Sequence, residues 1–216
     1  MSAKFASVVL DVDSTLSGIE GIDWLAKRRG HDVAERIARL TDEAMRGRIP
    51  LESVYGARLD VIRPTRDDID ALGEAYIAQV AAGSQAALDR LRGAGVKIAL
   101  VSGGIRQAIM PLAAFVGCDA SALSAVDVRF DERGDYQSFD AASPLTTSEG
   151  KHGVVEALAL PRPIFAMGDG ATDVAMAPVV DRFAAYVGFA RRENVVAQAD
   201  VVVDSFADLV GLVLGE

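Results

Sequence analysis

Phe5-Ala6-Ser7-Val8-Val9-Leu10-Asp11-Val12-Asp13-Ser14-Thr15 is the stretch on which the fold turns. Its run Val8-Val9-Leu10 is apolar without alternation, the pattern of a short strand buried on both faces at the centre of a sheet. The strand ends on Asp11, so a buried apolar element delivers a carboxylate at its carboxyl end. A second carboxylate follows two residues on, at Asp13.

Outward from this strand the chain changes character twice. From Ile19 to about Ala82 no strand signal appears. Ile22, Leu25 and Ala26, then Val33, Ile37, Leu40 and Ala44, then Val54, Leu59, Val61 and Ile62 fall at helical spacing, with Pro50 and Pro64 as punctuation. From Gly83 strands and helices alternate. Ser84 is placed to cap a helix that stops at Gly93 and Gly95, the strand Val96–Val101 follows, and Ser102-Gly103-Gly104 opens the next helix. Ala125 to Phe139 reads as two short strands about the turn Asp131-Glu132-Arg133-Gly134. A helix near Val154–Leu158, the strand Pro163–Met167, a helix from about Asp173, short strands at Val187 and Val201–Val203, and a helix Phe206–Leu214 complete the series. Strands separated by helix-length spacings predict parallel β-α-β units. The expected class is α/β, a Rossmann-like parallel sheet forming a core of residues 1–16 and 80–216, with an inserted helical cap at 17–79.

With 216 residues there is room for one well-buried core and a smaller satellite. Half the residues are hydrophobic and only 6% aromatic, which suits a sheet covered on both faces by helices. The net charge of -9 comes with no basic block, so nucleic acid and anionic membrane surfaces are not expected partners. An acidic protein that handles an anionic substrate needs a local positive charge, which a divalent cation supplies. The single cysteine, Cys118, the lack of a signal-peptide pattern and the lack of a membrane-length apolar run lead us to expect a cytoplasmic protein, monomeric or homodimeric.

Ligands of open parallel sheets bind where strands end. Those ends carry Asp11-Val12-Asp13-Ser14-Thr15, Ser102-Gly103-Gly104 and Gly168-Asp169-Gly170-Ala171-Thr172-Asp173, and Lys151, which precedes a helix, is expected to reach the same edge. Carboxylates from separate strands suit Mg²⁺, a hard cation that takes oxygen ligands. A carboxylate can attack phosphorus, and a second one nearby can protonate the leaving oxygen and later deprotonate water. Ser102 with the amides of Gly103 and Gly104 would cradle phosphate oxygens. Lys151 would offset the charge on nucleophile and phosphoryl group.

These four segments resemble, in order and spacing, the motifs of haloacid dehalogenase superfamily phosphatases, and most closely the phosphoserine phosphatase family. The resemblance spans nearly the whole chain. It implies a Rossmann-like core with a helical cap, Mg²⁺, and hydrolysis of a small phosphomonoester through an aspartyl-phosphate. Asp11 is implied as nucleophile and metal ligand, Asp13 as general acid/base lending its backbone carbonyl to the metal, Asp169 as third ligand, and Lys151 as the cationic catalytic group. Ser102 and Gly103 would bind the phosphoryl group, with Gly104, Thr172 and Asp173 in support. In the cap, Glu20 is implied to meet a substrate ammonium and Arg58 its carboxylate. The stretch Thr41-Asp42-Glu43-Ala44-Met45-Arg46-Gly47 is also similar to the family's cap, whereas Leu51 stands where the family commonly has Phe. Control by an N-terminal regulatory domain, which some members carry, is not expected.

Other readings keep less of the pattern. Homoserine phosphate or phosphoethanolamine would preserve the chemistry, as would transfer to an alcohol instead of water. A signalling receiver domain also uses Asp, Ser or Thr, Lys and Mg²⁺, but lacks a carboxyl two residues after the acceptor and an insertion of some sixty residues. His31 reads as an interhelical residue, Arg191-Arg192 as a solvated basic pair, Trp24 as cap core and Cys118 as a buried filler.

Overall fold

The computed structural model describes residues 3–45, 49 and 51–216, and for residues 42–45, 51 and 52 the backbone alone. Strand β1 (Ser7–Leu10) is buried along its whole length, as its unbroken apolar run requires. Four helices follow: α1 (Gly21–Arg29), α2 (His31–Met45), α3 (Leu51–Ile62) and α4 (Arg66–Ala78). The chain then runs through α5 (Ser84–Gly93), β2 (Lys97–Ile105), α6 (Arg106–Phe115) and β3 (Leu123–Val126). The hairpin β4 (Val128–Phe130) and β5 (Tyr136–Phe139) comes next. Helix α7 (Gly150–Ala157), β6 (Ile164–Gly168), α8 (Ala171–Val174), β7 (Arg182–Tyr186), α9 (Glu193–Val196), β8 (Val201–Val203) and α10 (Phe206–Leu214) finish the core.

The sheet order is β3-β2-β1-β6-β7-β8, every pair parallel. Leu10 lies opposite both Leu100 and Met167. The chain therefore leaves β1 to one side and later returns to its other side, which makes the carboxyl end of β1 the point where a ligand crevice opens. Alternation within strands divides the core in two. Val8 and Leu10 join Leu100, Phe165 and Met167 on one face, and Val9 joins Ala99, Val101, Ala166 and Phe183 on the other. Strands read as continuous hydrophobic runs because both faces are dry. Leu25, Ile37, Leu59, Leu72 and Tyr76 of α1–α4 pack into the first of these clusters, so these four helices extend it.

The Rossmann-like class is as expected, and several local readings are corrected. Helix α4 carries no strong apolar stripe. It starts from a capping box, in which Thr65 accepts from Asp68 N–H and Asp68 accepts from Thr65 N–H. It packs along α6, where Gly73 gives close approach: a Cβ there would stand 3.2 Å from the Ala108 carbonyl. His31 begins α2 and pairs with Glu35 one turn on. Ser84 is the first residue of α5, whose cap is Gly83 in the left-handed region at φ 75°. Ser102-Gly103-Gly104 continues β2 in place of opening a helix, and α6 begins at Arg106. Val187 falls just past β7, and β3, half-exposed at its centre, had no expected counterpart. The Asp131–Gly134 hairpin turn, the helix at Phe206–Leu214 and the buried Cys118 are found as read. Trp24 is partly buried against the first cluster, with Arg28 5.6 Å over its ring. The side chain of Leu51, Pro50 and residues 42–47 of the cap stretch lie outside the described side chains.

Candidate active site

Asp11 leaves the sheet immediately after β1, and Lys151 is the second residue of α7. The lysine Nζ lies 2.5 Å from Asp11 Oδ1 and 2.5 Å from Asp173 Oδ1, and all three side chains are buried. Two carboxylates at contact distance hold the lysine in its charged form against the cost of burial. Asp11 is pushed up to about 8 by burial and by the Asp173 charge, with Lys151 pulling the other way. Asp173 sits at the third position of α8 and accepts from Gly170 N–H at 2.8 Å, so the start of this short helix fixes it.

Asp169 follows β6. Its Oδ1 accepts from the hydroxyl of Thr15 at 3.1 Å, tying the ends of β1 and β6 together. One oxygen each from Asp11, Asp169 and Asp173 lies within 4.8 Å of the others. Three buried carboxylates outnumber the two cations paired with them, Lys151 and Arg192, and all the donors are oxygens. That set fits a hard divalent cation.

Asp13 sits across the same crevice. Its Oδ1 accepts from Tyr76 Oη at 2.5 Å and from Gly21 N–H at 3.0 Å. Burial pushes Asp13 up to about 6, although these two donors favour its charged form.

A cavity of about 340 Å³ joins these groups. Asp11, Asp13, Lys151, Asp169, Thr172 and Asp173 line it together with Glu20, Arg58, Gly103 and Gly104. Ser102, fully buried, is not in the lining, and its hydroxyl accepts from Gly104 N–H at 2.9 Å. The Gly104 amide is thus engaged by the serine in this state. Glu20 accepts from Ser14 Oγ at 2.8 Å, from a residue held in the left-handed region at φ 50°. Arg58 pairs with Asp23 through one nitrogen. Its Nε and the neighbouring Tyr55 hydroxyl are buried without a hydrogen-bond partner among the described residues.

Against known proteins, residues 8–178 match the family model described as haloacid dehalogenase-like hydrolase. The chain belongs to the haloacid dehalogenase-like hydrolase family. It is 32% identical over 208 residues to the phosphoserine phosphatase of Homo sapiens, covering 95% of this chain and 92% of that one. It is 33% identical over 211 residues to the phosphoserine phosphatase of Drosophila melanogaster, covering 94% and 76%. Among solved structures, a phosphoserine phosphohydrolase-like protein from Francisella tularensis superposes with a TM-score of 0.82 at 22% identity, over 99% of this chain and all of that one.

Several residues of the site of this haloacid dehalogenase-like hydrolase escaped the sequence reading, among them Tyr55, Tyr76 and Arg192. Arg192, read there as solvated, lines the cavity. It donates to Glu20 at 3.0 Å and forms an ion pair with Asp169. Only its neighbour Arg191 behaves as a surface charge, paired with exposed Glu193. No local signal marks Arg192, because Glu20 lies 172 residues away in the chain. Among the described residues, no helix is long and apolar enough to cross a membrane.

Proposed function

We propose that this protein is a phosphatase that hydrolyses O-phosphoserine to serine and phosphate, with Mg²⁺ as its metal. One observation carries the reading: a single small cavity is lined at once by the Asp11, Asp13, Lys151, Asp169 and Asp173 group and by two side chains of opposite charge, Glu20 and Arg58. Phosphoserine offers the matching set, with a phosphate for the first group, an ammonium for Glu20 and a carboxylate for Arg58. Arginine takes carboxylates through paired donors, and Arg58 lines the cavity. The relatives named phosphoserine phosphatase support the same substrate.

The chemistry divides among this chain's residues. Asp11 attacks phosphorus, the ester P–O bond breaks, and the departing serine oxygen takes the proton of Asp13. Asp13, now a carboxylate, removes a proton from water, which attacks the aspartyl-phosphate and returns Asp11 as a carboxylate with free phosphate. Lys151 neutralises charge at Asp11 throughout. Gly103 and Gly104, where a side chain would crowd the Leu145 carbonyl or Asp13, leave room for phosphate oxygens beside β2. Asp11, Asp169 and the carbonyl of Asp13 would hold the metal, with Asp173 beside them. When bound, the metal supplies positive charge to the phosphoryl oxygens. Residues 17–79 act as a cap that closes over the substrate and excludes water during the first transfer. The site works in the reducing cytoplasm, where Cys118 stays a thiol.

The test is phosphate release from phosphoserine, homoserine phosphate and phosphoethanolamine, with Mg²⁺ and with a chelator, by the wild type and by Arg58→Ala. The expected result is a metal-dependent preference for phosphoserine that Arg58→Ala removes. A preference for phosphoethanolamine, which has no carboxylate, would overturn the substrate assignment.

A further inference from the structure

Among the described residues, Asp13 is gripped on one oxygen only. Tyr76 Oη and Gly21 N–H both donate to Oδ1, at 2.5 Å and 3.0 Å. Oδ2 is the oxygen nearest Gly104, where an added Cβ would come within 2.9 Å of it, on the lining of the cavity. A carboxyl group that accepts two hydrogen bonds on one oxygen has its acidic proton directed to the other. The grip therefore turns the proton-bearing oxygen towards the crevice and fixes the plane of the carboxyl.

Tyr76 is suited to hold that orientation. It lies on α4, is fully buried, and its ring sits in the main hydrophobic cluster, so the hydroxyl has no freedom to swing. The segment that carries it is anchored to the loop after β1, since the Ser17 hydroxyl donates to the Tyr76 carbonyl at 2.9 Å. Gly21, at the start of α1, completes the grip because a Cβ there would stand 2.2 Å from the Tyr76 hydroxyl. A glycine is thus required for the tyrosine to reach Asp13. Two helices of the inserted segment, α1 and α4, converge on one carboxyl oxygen in the core.

We propose that Tyr76 is a positioning residue for proton transfer: its hydroxyl, with the Gly21 amide, aims Asp13 at the leaving oxygen of the substrate. The inference rests on the role given to Asp13 above. It identifies a determinant of leaving-group dependence supplied by the inserted helices, and it applies to any alkyl phosphate the site accepts. An alkoxide needs a proton as it departs, whereas p-nitrophenolate does not. Misaiming Asp13 must therefore slow the first transfer from an alkyl ester more than from p-nitrophenyl phosphate.

The experiment measures kcat/KM, which reports steps through the first transfer, for phosphoserine and p-nitrophenyl phosphate with wild type, Tyr76→Phe and Asp13→Asn. Positioned general acids contribute about 10²–10⁴ in rate, and a misaimed one keeps part of that, so Tyr76→Phe should lose about tenfold or more on phosphoserine relative to p-nitrophenyl phosphate. Asp13→Asn should show the same selectivity more strongly. Gly21→Ala displaces the hydroxyl from the other side and should repeat the selective loss, which covers the case of a Tyr76→Phe protein that does not fold. Equal losses on both esters in Tyr76→Phe and Gly21→Ala, with Asp13→Asn still selective, would overturn the positioning role alone. Equal losses in Asp13→Asn would overturn the acid role of Asp13 and the inference with it. If another alkyl phosphate proves the better substrate, the contrast is read on that ester, and only the phosphoserine assignment falls.

Discussion

Replacing Lys151 by methionine tests how the buried charges of the site are held. Methionine fills a similar volume without charge, so the change removes the ammonium and leaves Asp11 and Asp173 facing each other, both buried. Deleting one partner of a buried ion pair costs about 3–5 kcal/mol, because the other charge stays desolvated. Against a total stability of about 5–15 kcal/mol, that is a large share. With a urea m-value of about 2–3 kcal/mol/M for a chain of this size, the midpoint should fall by about 1–2 M.

The pH dependence of that loss has a definite sign. Burial and Asp173 already raise Asp11 to about 8 in the folded protein, far above its unfolded value of 3.8. For an acid raised on folding, the unfolded chain gives up its proton first, so stability declines as pH climbs from about 4 towards the folded value. Without Lys151 the folded value rises further, and the decline continues beyond pH 8. The deficit of Lys151→Met should therefore widen as the pH rises past about 8, where Asp11 of the wild type gives up its proton and that of the variant still holds it. The assay is urea denaturation followed by far-ultraviolet circular dichroism, in chelator so that no cation substitutes for the lysine. Adding Asp173→Asn removes the repulsion and should restore roughly half of the loss. A Lys151→Met protein as stable as the wild type, or a double variant no better than the single, would refute the argument.

Two further outcomes follow from the geometry. Arg192→Gln should tighten binding of Mg²⁺ about three- to tenfold by calorimetry, since the guanidinium pairs with the buried Asp169 and a partly exposed ion pair is worth ~1 kcal/mol; unchanged or weaker binding would contradict the competition. Asp68 is drawn up by burial, but the Thr65 donors, Arg28 and Arg29 outweigh this and hold it below its usual value, so it contributes stability that is present above pH 3.8 and lost as pH falls further. Asp68→Asn should cost about 1–2 kcal/mol at pH 7 and almost nothing near pH 2 in denaturant titrations.

The grouping of the candidate site was legible in the sequence because parallel sheets collect strand ends at one edge. Once Val8-Val9-Leu10 was read as a central strand, Asp11, Gly103 and Asp169 had to meet. The parts that were not legible depend on packing between distant segments. Arg192 reaches Glu20 from a loop after β7, and no spacing rule links the two. Helix α4 buries Asp68, Gly73 and Tyr76 with only Ile69 and Leu72 as bulky aliphatics, so its apolar pattern is faint, although Thr65-x-x-Asp68 after Pro64 is a start signal that could have found it. Ser102-Gly103-Gly104 looked like a helix opening because serine and glycine suit caps, yet pairing with β3 kept the chain extended to Ile105. The grip of Tyr76 on Asp13 spans 63 residues and is visible only in three dimensions.

The most direct test of the account is to quench the enzyme with acid during turnover of an alkyl phosphate in Mg²⁺ and map the peptides by mass spectrometry. The account predicts one phosphoryl group on the peptide containing Asp11, acid-stable, cleaved by hydroxylamine, and missing from Asp11→Asn. Turnover that persists in Asp11→Asn, or a phosphoryl group found on any other residue, would contradict it.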